Sequence, residues 1–333
     1  MLHRSWPVLC IWFSIEVGVC MIFASRRRVQ AGVYLLVLIP LLSISSHIQA
    51  GTIVRVSTTV GDYSIELLDE TAPKTVQNFL NYVKRNDYNG TYIHRAEDGF
   101  VVQGGAYRFQ SFVGPIDIPL DPPVVNEFGA SNKRGTVAMA KFEGDFNSAT
   151  NQWFVSLGDN SSLDTSNGGF TVFGVVLGDG MQILDAIDAL PVVNLGAKAS
   201  NAPHTTAVYT SPGEFVFQNV EIMQRFTGAP HVFESASGLL LTSVNVNSGS
   251  SIISMNFNVV PHPTQLIIQT NRESVIRRRD SFEGIATYSS GDTRLRIPVL
   301  EANLNGEIRL LKNVVFVLSN QELLQFTLES FVQ

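Results

Sequence analysis

Arg95, Gln103 and the apolar residues around them are the side chains of this sequence whose types and spacing could do chemistry. They fall in residues 92–105, which read Tyr-Ile-His-Arg-Ala-Glu-Asp-Gly-Phe-Val-Val-Gln-Gly-Gly. Arginine is permanently protonated and presents a rigid fork of donors, and an amide can both donate and accept. The spacing brings this arginine, this amide and several apolar side chains close together. Two short β runs, 91–93 and 100–103, must position these groups across the polar turn Glu97-Asp98-Gly99. Alternation along them places Ile93 and Arg95 on one face and His94 on the other, and sets Phe100 and Val102 opposite Val101 and Gln103. Gly104-Gly105 then lets the backbone turn sharply. His94, beside the arginine, reads as a structural hydrogen-bonding residue.

The rest of the chain bounds what such a site can serve. At 333 residues there is room for two domains beyond a leader. Residues 1–50 hold Arg4, Arg26, Arg27 and Arg28 against Glu16. Without them the 23 basic and 29 acidic residues become 19 and 28, a net charge near −9. Nucleic acid or an anionic membrane would want a basic surface, so neither is expected as a partner. Arg277-Arg278-Arg279 is a local exception and reads as a solvated loop. Both cysteines, Cys10 and Cys20, lie in the leader, so the mature chain has no disulfide, thiol nucleophile or zinc–thiolate site. No metal and no cofactor are expected.

Arg26-Arg27-Arg28, the apolar run 31–43 and the small residue Ala50 follow the order of a secretory signal peptide. That order implies a periplasmic or secreted protein. A second apolar run, 8–23, makes Met21 an alternative start; a retained N-terminal membrane anchor is the other reading. Residues 53–57 and 63–68 read as a hairpin around Gly61, and Pro73 opens a helix with Val76, Phe79, Leu80 and Val83 on one face. Residues 136–140, 153–157, 172–177 and 215–223 read as further strands and 180–190 as a second helix. A connector, 191–213, is rich in Asn, Ala, Ser, Thr and Pro. Many short strands with only two helices predict a mainly β fold: a closed antiparallel barrel capped by two helices. After Arg225 the texture changes to strands alone, at 239–246, 252–260, 265–270, 281–288, 293–300, 308–318 and 323–331, a β-sandwich-like domain with no catalytic constellation. The domains are thus 1–50 (leader), 51–225 and 226–333.

Residues 92–105 resemble the signature of cyclophilin-type peptidyl-prolyl isomerases: an aromatic-His-Arg (with Ile93 in place of the aromatic), a Gly-Phe, then Gln-Gly-Gly. Further blocks follow in the family's order. They are Gly135 to Met139-Ala140, then 148–155 with Gln152 and Phe154, Leu163-Asp164, and Phe173-Gly174-Val175-Val176. The resemblance runs from about Val54 to Met223 and implies an eight-stranded barrel of that type. It also implies roles: Arg95 and Gln103 catalytic, and Phe100, Val101, Ala140, Lys141, Gln152, Phe154, Leu163 and Phe170 substrate-binding. Val101 stands where methionine is usual and makes that wall smaller. Lys141 replaces asparagine or arginine, Phe170 replaces histidine or tyrosine, and Ser162 stands where a large ring would close the pocket edge.

The reaction so implied is rotation of an Xaa-Pro bond. Its barrier is roughly 18–20 kcal/mol, while the two isomers differ by only about 0.5–1 kcal/mol, so the barrier is the obstacle. In the twisted state the prolyl nitrogen regains a basic lone pair. A donor aimed at it binds that state better than either planar one. Proline-containing polypeptides are the expected clients, the chain acting as a monomer and residues 226–333 meeting a cell-envelope partner. The rival expectation is a non-catalytic proline-peptide binding module or chaperone.

Overall fold

The computed structural model describes residues 51–223, 229–249, 251–278 and 282–333. Residues 1–50 with both cysteines, expected as a leader, the expected boundary at Arg225, and Arg279 lie outside the described residues. Strands β1 (Ile53–Thr58) and β2 (Asp62–Leu67) form the expected hairpin. Helix α1 (Pro73–Lys84) follows, with Val76, Phe79, Leu80 and Val83 buried as the periodicity requires. Next come β3 (Thr91–Tyr92), β4 (Arg95–Glu97), β5 (Val101–Gly104), β6 (Tyr107–Gln110), β7 (Gly114–Asp117), β8 (Thr136–Met139), β9 (Trp153–Ser156) and β10 (Val172–Leu177). Helix α2 (Gly180–Asp188), the short pair β11 (Val192–Val193) and β12 (Ala202–Pro203), and β13 (Phe217–Met223) complete this part. The β6–β7 hairpin was not legible in the sequence. Phe112 takes the left-handed backbone (φ 67°) at its tip, where a glycine or asparagine would have signalled the turn.

All but β11 and β12 belong to one antiparallel sheet, ordered β4-β5-β9-β8-β10-β2-β1-β13-β3-β6-β7. Because β3 and β4 are consecutive in the chain, the single run 91–97 stands at both sides of that order and closes it. The joint is visible in the backbone: Ile93 N–H donates to Val216 O at 2.9 Å, and His94 N–H donates to Gln103 O at 3.2 Å. Counted once, the run makes a ring of eight strands, from which the β6–β7 hairpin hangs by the Thr91–Arg108 pair.

The change of partner has a consequence for facing. Ile93 and Ala96 both enter the barrel core, together with Val102, Val137 and Val155. Strict alternation would have put Ile93 beside Arg95; instead the pleat slips between the two strands, and Arg95 turns outward. Aromatic rings fill the space between the wall and α1, with Phe79 against Tyr88 at 5.3 Å and edge-on to Trp153 at 6.0 Å between ring centroids.

Among the described residues beyond 228 the chain is built of strands, with one short 3-10 turn at Arg272–Ser274: β14 (Val232–Glu234), β15 (Leu239–Val246), β16 (Ile252–Val260), β17 (Ile267–Thr270), β18 (Ile276–Arg278), β19 (Ala286–Ser289), β20 (Arg294–Leu304), β21 (Glu307–Asn320) and β22 (Gln325–Val332). The sandwich expectation is corrected here. Pairings run β15-β19-β20-β21-β22-β17-β16 and return from β16 to β15, so one sheet closes on itself rather than two sheets stacking. Closure leaves no free edge on the ring and encloses its own core, including Leu240, Phe257, Ile297 and Phe316.

The two barrels share a packed seam. Ile53 and Met223 of the first meet Val232 and Leu241 of the second. Arg278, expected in a solvated loop, is half-buried here and pairs with Asp62 at 3.4 Å, alongside the pair that buried Arg55 makes with Asp62 at 3.1 Å. Charges removed from water need partners of this kind.

Candidate active site

Strand register assembles the site. Arg95 pairs with Gln103 across β4–β5, Gln103 with Phe154 across β5–β9, Phe154 with Ala138 across β9–β8, and Ala138 with Val172 across β8–β10. Directly opposed residues share a face, so one transverse row runs from a cation through an amide to three apolar side chains. Its apolar end is a cluster on the barrel's outer face. Val101, Ala138, Phe154 and Val172 are buried in it, with Leu68, Phe100, Ala130, Ala140, Leu163 and Phe170 packed against them. Phe100 joins Val101 instead of opposing it, because it sits in the turn before β5, where alternation does not apply.

The polar end is a relay of hydrogen bonds. Arg95 Nη1 donates to Gln103 Oε1 at 3.1 Å, and Gln103 Nε2 donates to Gln152 Oε1 at 2.8 Å. Arg95 Nε also meets Glu97 Oε1 at 3.3 Å, and the guanidinium carbon lies 5.9 Å from the centre of the Phe100 ring. The Arg95 side chain keeps 33% of its surface exposed, enough for a ligand to reach it. His94 is buried edge-on to Tyr107, with ring centroids 5.0 Å apart. Burial pushes its pKa down to about 4, so it is uncharged at neutral pH.

The rim of the apolar end is built from residues 160–171. Phe170 meets Phe154 edge-on at 5.9 Å, and Phe170 N–H donates to Leu163 O at 3.2 Å. Lys141 Nζ donates to Asn167 O at 2.8 Å and Gly169 O at 2.6 Å, and lies 4.9 Å from the Phe170 ring centre. Its partial burial lowers its pKa from the ordinary lysine value. Gly169 is required where it is: its φ is +79°, and a Cβ there would meet the Phe128 ring at 2.5 Å. Ser162 is exposed, leaving that edge without a ring.

All ten residues singled out from the sequence thus fall in or beside one row and its apolar cluster. Ala138 and Val172 belong to the same wall and were missed as site residues, though their place was legible as the outward positions of two strands. Glu97 and Asn201 also touch the polar end. Asn201 Nδ2 donates to Glu97 Oε1 at 2.7 Å, and nothing local in the connector could have signalled it.

A family model described as cyclophilin type peptidyl-prolyl cis-trans isomerase/CLD matches residues 53–208. The chain is similar to a peptidyl-prolyl cis-trans isomerase of Acinetobacter baylyi, 38% identical over 157 residues, which are 46% of this chain and 81% of that protein. It is similar as well to peptidyl-prolyl cis-trans isomerase B of Escherichia coli, 39% identical over 39% of this chain and 80% of that one. Among solved structures, a cyclophilin type isomerase of Cryptosporidium parvum aligns at 23% identity and a TM-score of 0.40, covering 53% of this chain and 99% of its own.

Proposed function

This chain belongs to the cyclophilin-type peptidyl-prolyl cis-trans isomerase family and is an isomerase of that type, and we propose on this premise that it acts on exported polypeptides through Arg95. In this reading a prolyl ring lies against Phe154 and Val101, and Arg95 donates a hydrogen bond to the prolyl nitrogen as it pyramidalises. Gln103 fixes the guanidinium, and Gln152 completes the polar relay along the peptide backbone.

The observation that carries this reading is the row itself. Phe154 and Arg95 stand two strands apart, about 10 Å between backbones at ordinary strand spacing, a gap that a pyrrolidine ring and an extended arginine fill between them. A planar prolyl amide offers its nitrogen lone pair to resonance and has little for a cation to hold; the twisted amide exposes it. The interaction therefore favours the transition state over either ground state. Export is supported by the basic, apolar and small-residue order of residues 26–50.

The test is cis-to-trans conversion of an Ala-Pro peptide by the full chain and by Arg95→Ala, with calorimetric affinity for the same peptide. A hydrogen bond from a charged group contributes roughly 1.5–3 kcal/mol, and about 1.4 kcal/mol is tenfold in rate, so turnover should fall at least about tenfold while affinity changes little. A variant as fast as wild type defeats the arginine mechanism. Binding without acceleration by wild type would replace the enzyme with a proline-peptide binding module.

A further inference from the structure

Arg95 is held at a second point that the reaction's machinery does not include. Glu97 Oε1 lies 3.3 Å from Arg95 Nε and, on the same oxygen, accepts a hydrogen bond from Asn201 Nδ2 at 2.7 Å. Asn201 comes from the connector after α2 and is tied to the same strand through its main chain. Ala96 N–H donates to Asn201 O at 2.8 Å, and Arg95 and Asn201 form a parallel bridge. The asparagine is thus anchored by its backbone to β4 while its side chain fixes the carboxylate two residues further along.

Arginine has four side-chain torsions and, a third exposed here, is not immobilised by burial. Contact at Nη1 alone, with Gln103, would still let the guanidinium plane swing about that point. A second contact at Nε fixes the plane, because Nε and Nη1 belong to one rigid fork.

Resting on the arginine mechanism above, we propose that Glu97, itself fixed by Asn201, is a positioning residue that holds the Arg95 guanidinium in the orientation used for turnover. Half-exposed ion pairs contribute little to folding, so the role is one of orientation rather than stability. The hydrogen-bonding oxygen matters more than the charge, since an amide oxygen at the same place could accept from both Asn201 and Arg95.

Kinetics of the full-length protein with an Ala-Pro peptide test this directly, with Glu97→Ala, Glu97→Gln, Asn201→Ala and Arg95→Ala compared. Misorienting a group that acts only in the transition state lowers kcat, here by roughly three- to tenfold in Glu97→Ala, with KM within about twofold. Asn201→Ala should fall in the same direction, and Glu97→Gln should stay within about twofold of wild type because its amide oxygen keeps both contacts. Melting temperatures should stay close to that of wild type, and Glu97→Ala placed on Arg95→Ala should add no further loss. If Arg95→Ala is slow but Glu97→Ala keeps the wild-type kcat, this inference is overturned and the arginine mechanism stands. If Arg95→Ala is as fast as wild type, both fall. A Glu97→Gln variant as slow as Glu97→Ala also overturns it, assigning the effect to charge.

Discussion

Arg95 and Phe154 divide the work of the row between an interaction that strengthens as the amide twists and one that does not change. Phe154 is buried between Ala138 and Gln103 in the row, with Phe170 edge-on to it. Its contacts with a prolyl ring are dispersion and exclusion of water, which are equal for the planar and twisted amide. Phe154→Ala should therefore weaken peptide affinity and kcat/KM together, by a similar factor, and leave kcat at saturating peptide close to wild type. Paired calorimetry and isomerase kinetics check this. A fall in kcat with unchanged affinity would mean that the ring acts on the twisted state itself.

Helix α1 shows the same dependence on distant parts one level up. Pro73 suits its first turn, but Ala72 gives it no side-chain cap and no acidic residue stands in that turn. Glu127 supplies both from 52 residues away. Its carboxylate accepts from Lys74 N–H at 3.2 Å, Thr75 N–H at 2.8 Å and the Thr75 hydroxyl at 2.8 Å. The neighbouring Asn126 Nδ2 donates to Gly168 O at 2.7 Å and Gly169 O at 3.1 Å, so one loop both starts the helix and braces the pocket rim. Losing a cap costs about 1 kcal/mol and up to about 2 kcal/mol, and the charge complements the helix dipole. Glu127→Ala is expected to cost about 1–2 kcal/mol in urea unfolding, and Glu127→Gln less. No change in the midpoint would mean that water satisfies the helix terminus as well as the carboxylate does.

At the scale of the whole molecule, the seam between the barrels buries a carboxylate. Glu221 on β13 accepts from Asn89 Nδ2 at 3.2 Å and, across the seam, from Asn256 Nδ2 at 2.7 Å; Asn219 Nδ2 donates to Ser274 O at 2.6 Å beside it. Burial raises its pKa above the ordinary glutamate value, and the two amide donors only partly offset this. A carboxyl whose folded pKa is raised favours the folded state fully below its unfolded pKa and loses that contribution as pH rises through the folded value. Glu221→Gln has no charge to bury and keeps an oxygen for both asparagines. Relative to wild type it should therefore gain stability as pH rises above the carboxylate range. Urea midpoints of the two proteins at acid and at mildly alkaline pH measure this, and curves that stay parallel across that span would contradict it.

The sequence by itself determined the local elements and the identities in the row. Turn residues and alternation within five or six positions placed β1, β2, β8, β9, β10 and both helices close to their observed bounds. The same alternation set Val101 and Gln103 on one face of β5 and Val102 on the other, because a strand's facing is fixed by its own pleat as long as its partners do not change. Tertiary structure decided the facing of Ile93 relative to Arg95, since residues 91–97 leave β13 for β5 midway and the pleat slips at the joint. It decided that the second group of strands closes into a ring: β15 finds β19 some forty residues later, and such pairing is set by burial of the enclosed face, not by any short pattern. It also placed Asn201 on Glu97 and Arg278 on Asp62. Those contacts join side chains more than a hundred residues apart, and a polar residue carries no local mark of the partner that will satisfy it.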